Sequence, residues 1–124
     1  MLHESELTDR IIGAAIEVHR ALGPGLLESA YQVCLAHEFN LKGIPYEREL
    51  PLPVCYKGIQ LDNGYRLDFL VAHRVVTELK AVEALQPIHE AQLLTYLRLT
   101  GCRVGLLINF NVPVLKDGIK RRAL

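Results

Sequence analysis

Asp68, Glu78 and Lys80 are the residues of this chain whose types and spacing best suit chemistry, and all three lie in the segment Arg66-Leu-Asp-Phe-Leu-Val-Ala-His-Arg-Val-Val-Thr-Glu-Leu-Lys80. Tyr65, Leu67, Phe69 and Val71 alternate with Arg66, Asp68 and Leu70, and Val75 to Val82 repeats the pattern, so both stretches read as strands. A short loop over Ala72, His73 and Arg74 centres an antiparallel hairpin on His73. Residues numbered symmetrically about 73 then face each other, and Asp68 sits opposite Glu78. Opposed Cβ atoms lie roughly 4.5–5.5 Å apart, where like charges destabilise the pair. Two arrangements offset the repulsion. In one, Arg66 opposes Lys80 and the diagonals Asp68–Lys80 and Arg66–Glu78 form an exposed checkerboard, a common pattern that stabilises little. In the other, Mg²⁺ or Mn²⁺ sits between the carboxylates, because hard oxygen ligands suit these ions. Both depend on register, since a one-residue slip or a bulge sends the carboxylates to opposite faces.

The elements that must position this hairpin can be read outward from it. Between Ser5 and Leu22, Ile11, Ala15, Val18 and Leu22 recur at helical spacing, backed by Ile12 and Ile16, with Ser5 or Thr8 to cap the start. Gly23-Pro24-Gly25 ends that helix. A second runs from about Leu27 to Leu41 and stops at Gly43. The extended stretch from Tyr46 to Tyr56 is interrupted by Pro51 and Pro53, which predicts an edge position or a bend. Asp62-Asn63-Gly64 is a turn signal that feeds the strand carrying Asp68. Pro87 opens a third helix to about Thr100, and Val104 to Ile108 is an apolar strand suited to a sheet interior. Helices before and after a hairpin-centred sheet predict an α/β sandwich. A right-handed crossover through the third helix lets the strands of Glu78 and Val104 run parallel, so the sheet is expected to be mixed.

Length and composition narrow the classes. At 124 residues, half of them hydrophobic, the chain is expected to form one domain, residues 1–124, with a real core. Its apolar stretches fall well short of the ~20 residues of a membrane span, and the N-terminus does not read as a signal peptide, so a cytoplasmic location is expected. Cys34, Cys55 and Cys102 have no Cys-x-x-Cys spacing and are expected to be reduced, mostly buried thiols. Fourteen basic residues balance fourteen acidic ones, so no global field draws the chain to nucleic acid. The one dense basic cluster is Lys116 with Lys120, Arg121 and Arg122, which could hold a phosphate backbone or be a solvated end. His19, His37, His73 and His89 show no metal-ligand spacing; His19 is expected in packing or at the surface, His73 in the hairpin loop, and His89 at the surface near the start of the third helix. No Ser-His-Asp or Cys-His arrangement and no phosphate loop is legible.

Asp68 followed by Glu78-Leu79-Lys80, in this order of elements, resembles the PD-(D/E)XK nuclease superfamily, whose core is a helix, a three-stranded meander, a helix and a further strand. Gly25-Leu-Leu-Glu28-Ser-Ala-Tyr31 is similar to the Gly-x-x-Glu-x-x-Tyr signature of the GxxExxY proteins placed in that superfamily. Gln92-Leu-Leu-Thr-Tyr96 resembles the Gln-x-x-x-Tyr motif of its RecB-like branch. Leu67 stands where a proline usually precedes the aspartate. The similarity runs from the first helix to Asn109-Phe110 and Gly118-Ile119-Lys120-Arg121, and three ordered motifs are far more specific than Glu-x-Lys alone.

The resemblance implies a restriction-endonuclease-like sandwich, a central mixed β-sheet flanked by helices. It also implies a metal-dependent nuclease that hydrolyses phosphodiester bonds of nucleic acid, with DNA the expected partner. Asp68 and Glu78 would be metal ligands, with the Leu79 carbonyl a third oxygen and Glu28 an additional or outer ligand. Lys80 would orient water or offset charge on the phosphate. Gln92 and Tyr96, four apart on one helix face, would contact a carboxylate or the phosphate; their alternative is Tyr96 in the core and Gln92 in solvent. Taken alone, without the family pattern, Glu28 reads as an exposed helix carboxylate. A chain this small lacks a separate DNA-reading module, which makes a homodimer a natural assembly. The alternative function is a non-catalytic nucleic-acid-binding or assembly module that retains the fold.

Overall fold

The computed structural model describes residues 3–62 and 64–124, so the turn signal at Asp62-Asn63-Gly64 falls partly outside the described residues. Three helices form where apolar periodicity and helix stops place them: α1 Ser5–Leu22, α2 Glu28–Lys42 and α3 Pro87–Thr100. Gly23 and Gly43 follow the first two with φ of 67° each, the left-handed turn at which glycine is favoured. Neither Ser5 nor Thr8 caps α1. Glu4 occupies the cap without a side-chain bond, and the Thr8 hydroxyl instead donates to the Ser5 carbonyl at 3.1 Å. Leu22, expected on the buried stripe, is 39% exposed at the helix end.

The strands are β1 Tyr46–Pro51, β2 Val54–Tyr56, β3 Ile59–Leu61, β4 Arg66–Val71, β5 Val75–Lys80, β6 Val104–Asn109 and β7 Ile119–Ala123. Five make the main sheet, in the order β1-β4-β5-β6-β7. All neighbours are antiparallel except β5 and β6, which run parallel from Val75↔Val104 to Lys80↔Asn109. The sheet is therefore mixed. Both effects expected of the prolines occur: β1 is an edge strand, and the chain leaves the sheet after Pro51 to form the separate β2–β3 hairpin.

Helices cover both faces. One core joins Ile11, Leu35 and Phe39 of α1 and α2 to Phe69, Leu106 and Ile108. The other joins Leu93 and Leu97 of α3 to Val76 and Leu107. Successive residues of β6 thus serve opposite cores, which is why this strand is apolar and buried throughout. Gly105 lets α3 approach: a Cβ there would lie 2.8 Å from a Leu93 methyl. The result is an α/β sandwich of the restriction-endonuclease-like kind, with three helices on a five-stranded sheet. Among the described residues, no helix is long and apolar enough to cross a membrane.

The hairpin of β4 and β5 has the expected register, Phe69↔Thr77, Leu70↔Val76 and Val71↔Val75. Its turn closes with the Arg74 N–H donating to the Val71 carbonyl at 2.9 Å, while Ala72 and His73 take positive φ of 51° and 58°. Alternation along β4, however, breaks at Asp68. Phe69 and Val71 join the core beneath α1 and α2, whereas Leu67, expected on the same face, joins the core beneath α3. Opposite this point β1 skips a pair, from Arg48↔Phe69 to Leu50↔Leu67, and Glu49 between them has φ 55°. A left-handed residue turns the edge strand, and the face changes with it.

Two strands lacked a sequence signal. β2 falls inside the extended stretch from Tyr46 to Tyr56, but β3 is exposed throughout and has no buried period. In β7, Ile119-Lys-Arg-Arg-Ala123 reads as a charged tail, yet it pairs with β6 as an edge strand.

Candidate active site

The register that closes the hairpin at its turn brings Asp68 and Glu78 opposite each other at its far end, where side chains take over from the ladder. The Asp68 N–H donates to Glu78 Oε2 at 2.8 Å, and the Leu79 N–H donates to Asp68 Oδ2 at 2.8 Å. Each carboxylate thus satisfies a main-chain donor of the opposite strand. Glu78 is 7% exposed and Asp68 is half-buried, so the pair is not the exposed checkerboard. Among the described residues neither carboxylate has a basic side chain within 4 Å.

Asp68 is held from α2 as well. Gln32 Nε2 donates to Asp68 Oδ1 at 3.0 Å, and Arg48 Nε donates to Gln32 Oε1 at 2.9 Å. A carboxylate only accepts and a guanidinium only donates, so one amide orientation satisfies both partners. Gln32, buried at 7% exposure, is the residue that sequence reasoning missed. A signal existed: it lies four after Glu28, on the same helix face. The glutamine expected to bond a carboxylate was Gln92, which makes no such bond among the described residues and instead lines a groove beside α3.

Burial and mutual repulsion raise the acid pKa values. Glu78 rises well above its ordinary 4.5, first through desolvation and then through the Asp68 charge, against the Asp68 N–H, with Lys80 also lowering it and Glu28 raising it. Asp68 rises through desolvation, while the Leu79 N–H, Gln32 and Lys80 pull it down. Glu28, the first residue of α2, is exposed but feels the same cluster: its pKa rises through desolvation, lowered by Lys80 and raised by Asp68. Lys80 is therefore within electrostatic reach of all three acids. Its main chain is anchored, with its carbonyl accepting the Phe110 N–H at 2.9 Å. Tyr96 is 6% exposed, and its phenol pKa rises through desolvation and then through Glu78, Tyr65 and Asp68, with Gln92 opposing.

The expected residues thus separate into grades. Asp68, Glu78 and Leu79 are linked by hydrogen bonds, Lys80, Glu28 and Tyr96 are linked by charge, and Gln92 stands behind Tyr96. His89 lines the groove beside α3 together with Gln92, its Nδ1 accepting the Gln86 N–H at 2.9 Å to cap α3. The basic cluster is dispersed: Arg122 pairs with Glu90, and Arg121 bonds the main chain of His3. His19 packs at 9% exposure, its Nε2 2.8 Å from the Val112 carbonyl. All three cysteines are free, but none is fully buried.

Two further contacts brace the ends of the cleft. Tyr31 is fully buried and stacks on Phe110 with ring centroids 4.5 Å apart. Its hydroxyl donates to the Gly23 carbonyl at 2.6 Å and accepts the Leu26 N–H at 3.1 Å. It thereby fixes the α1–α2 loop, which turns at Gly25 with φ 101° and delivers Glu28. Asn109 does the same beyond Lys80: Nδ2 donates to the Val82 carbonyl at 2.9 Å, and Oδ1 accepts the Val82 N–H at 3.1 Å.

Whether a divalent ion suits this cleft can be judged from its donors. In an extended strand the N–H and C=O of one residue point to the same neighbour. The Leu79 N–H reaches Asp68, so the Leu79 carbonyl is directed towards β4 too. Two desolvated carboxylates and this carbonyl are hard oxygen donors with surplus negative charge, and they fit Mg²⁺ or Mn²⁺. Among the described residues no three His, Cys, Asp or Glu side chains form a cage, but Mg²⁺ seldom takes one and usually keeps several waters.

The family model of the PD-(D/E)XK nuclease superfamily matches residues 5–122. No curated protein and no solved structure matches the chain.

Proposed function

The chain belongs to the PD-(D/E)XK nuclease superfamily, and from that premise we propose that it is an active Mg²⁺- or Mn²⁺-dependent nuclease that hydrolyses phosphodiester bonds, with DNA as substrate. The observation that carries the proposal is the reciprocal bonding of Asp68 and Glu78, which gathers two desolvated carboxylates beside Lys80 at the open end of a strand pair. The superfamily generally uses divalent metals. A bound ion supplies positive charge to the phosphoryl oxygen and acidifies a water.

The roles of the residues follow from their surroundings. Asp68, Glu78 and the Leu79 carbonyl would hold the ion, and Gln32 aims Asp68 and favours its charged form by donating to it. Glu28, at the mouth of the cleft, takes an outer position. Lys80, on the same strand as Glu78, orients the attacking water or offsets charge that develops on the phosphate. Tyr96, kept protonated, is available as a hydrogen-bond donor, and Gln92 supports it. The closer assignment to the GxxExxY proteins is supported by the two bonds of Tyr31, and that to the RecB-like branch by Tyr96, which feels the charge of the acids, with Gln92 beside it.

One observation favours the non-catalytic binding or assembly module: charges balance, and the basic cluster near the C-terminus is partly spent on internal partners. Cleavage assays separate the two readings. Purified protein is incubated with plasmid, single-stranded DNA and RNA in Mn²⁺, in Mg²⁺ and in EDTA. A nuclease cleaves in Mn²⁺ or Mg²⁺ only, and Lys80→Ala abolishes cleavage while its thermal melt stays that of a folded protein. Cleavage that survives Lys80→Ala, or none in any condition, rejects the catalytic reading.

A further inference from the structure

On the face of the sheet covered by α3 lies a groove of about 580 Å³ between α3 and the β2–β3 hairpin, bounded by Leu61, Tyr65, Ile88, Gln92, Tyr96 and Leu99. That volume falls within the roughly 300–1,000 Å³ of small-ligand pockets. Among the described residues no lysine, arginine or carboxylate lines it. His89 also lines it, with its Nδ1 taken by the Gln86 N–H, so the wall is mostly apolar and aromatic and suits an uncharged occupant. The phenylalanines Phe39, Phe69 and Phe110 are fully buried in the opposite core, whereas Tyr65 and Tyr96 both face this groove. Tyr65 is 45% exposed and stands at the start of β4, held there by the Leu52 N–H donating to its carbonyl at 2.8 Å. Tyr96 forms the inner end, 6% exposed, in the core that also holds Leu67, the chain neighbour of Asp68. The Gln92 amide, the two phenols, His89 and the Thr95 hydroxyl put a few hydrogen-bonding groups on an otherwise apolar wall, which suits a flat ring with a polar edge.

We infer that this groove binds an unpaired nucleobase next to the scissile phosphate, so that the preferred substrate is single-stranded nucleic acid. The inference rests on the nuclease reading above and adds the substrate class. A duplex hides its bases in the stack and is gripped chiefly through its phosphates by lysine and arginine, which this groove does not offer. A single strand exposes base faces, and each base stacked on an aromatic side chain contributes to binding without requiring a basic wall. Tyr65 precedes Asp68 by three residues and Tyr96 packs with Leu67, so the phosphate that follows such a base is directed towards the cleft.

The test uses fluorescein-labelled oligothymidylate, the same strand with its bases removed at alternate positions, and a blunt duplex of equal length. Binding is read by anisotropy in Ca²⁺, and cleavage of the same three substrates is read in Mn²⁺. Oligothymidylate should bind on the order of tenfold more tightly than either competitor. Tyr65→Ala should remove that preference and Tyr65→Phe should keep it, since stacking needs the ring and not the hydroxyl. Equal affinity for the abasic strand, tighter binding of duplex, or a preference untouched by Tyr65→Ala overturns the inference. So does a dimer in sedimentation that Ile88→Glu dissociates, because a second copy would then fill the groove. Equal cleavage of all three substrates rejects the groove and leaves the nuclease standing; base-dependent binding without cleavage does the reverse.

Discussion

The two ends of the β4–β5 hairpin are built from the same strands and solve opposite problems. At the turn end, Phe69, Leu70 and Val71 oppose Thr77, Val76 and Val75 in a regular ladder, mostly buried. At the open end, Asp68 and Glu78 replace ladder bonds with bonds from side chain to main chain, and their pKa values rise. The turn end is what a stable sheet looks like. The open end spends stability to keep two carboxylates together, and the positive φ of Glu49 on the neighbouring strand marks the same level. Sites of this kind are where charge is gathered for chemistry.

Removing the support of the open end should have the largest effect. Gln32→Leu deletes the donor to Asp68 and strands Arg48, and such supporting partners typically contribute about 10–100-fold to metal affinity. Mn²⁺ titration of the folded variant measures the loss, and an unchanged affinity would make Gln32 mere packing. Tyr31→Phe keeps the ring on Phe110 and removes two loop contacts. Urea unfolding should show a loss of about 1–2 kcal/mol.

The acids themselves give a signed pH effect. Folded Asp68 and Glu78 hold protons above their ordinary 3.8 and 4.5, so the folded state binds more protons than the unfolded chain from about that pH upward. Stability is full below this window and falls as pH rises towards the elevated values. Glu78→Gln removes that titration and keeps an acceptor for the Asp68 N–H. Without divalent ions at neutral pH it should stabilise by on the order of 1 kcal/mol, with a flatter profile of melting temperature against pH. The smallest change belongs to the turn end. The Thr77 hydroxyl is buried without a partner among the described residues, so Thr77→Val should stabilise by about 1 kcal/mol or less and leave Mn²⁺ affinity unchanged.

What the sequence disclosed follows the same division. The helices, the hairpin register and the buried strand β6 were legible because apolar periods and glycine or proline stops act locally. The Asp68–Glu78 opposition was legible too, from symmetry about His73. The change of face at Asp68 was not, because it depends on Glu49 of another strand taking a left-handed conformation. Gln32 looked like one more polar helix residue until the fold brought it to Asp68. Strand β7 carries basic residues that read as a tail, and only the apolar partner β6 makes it part of the sheet.

The most direct test of the central claim is calorimetric titration of Mn²⁺ into the wild type, Asp68→Ala and Glu78→Ala. Binding heat in the wild type that is absent from both folded variants is the predicted result. Heat that persists in either variant, or no heat in the wild type at concentrations where weak binding registers, would contradict a metal site built on these two carboxylates.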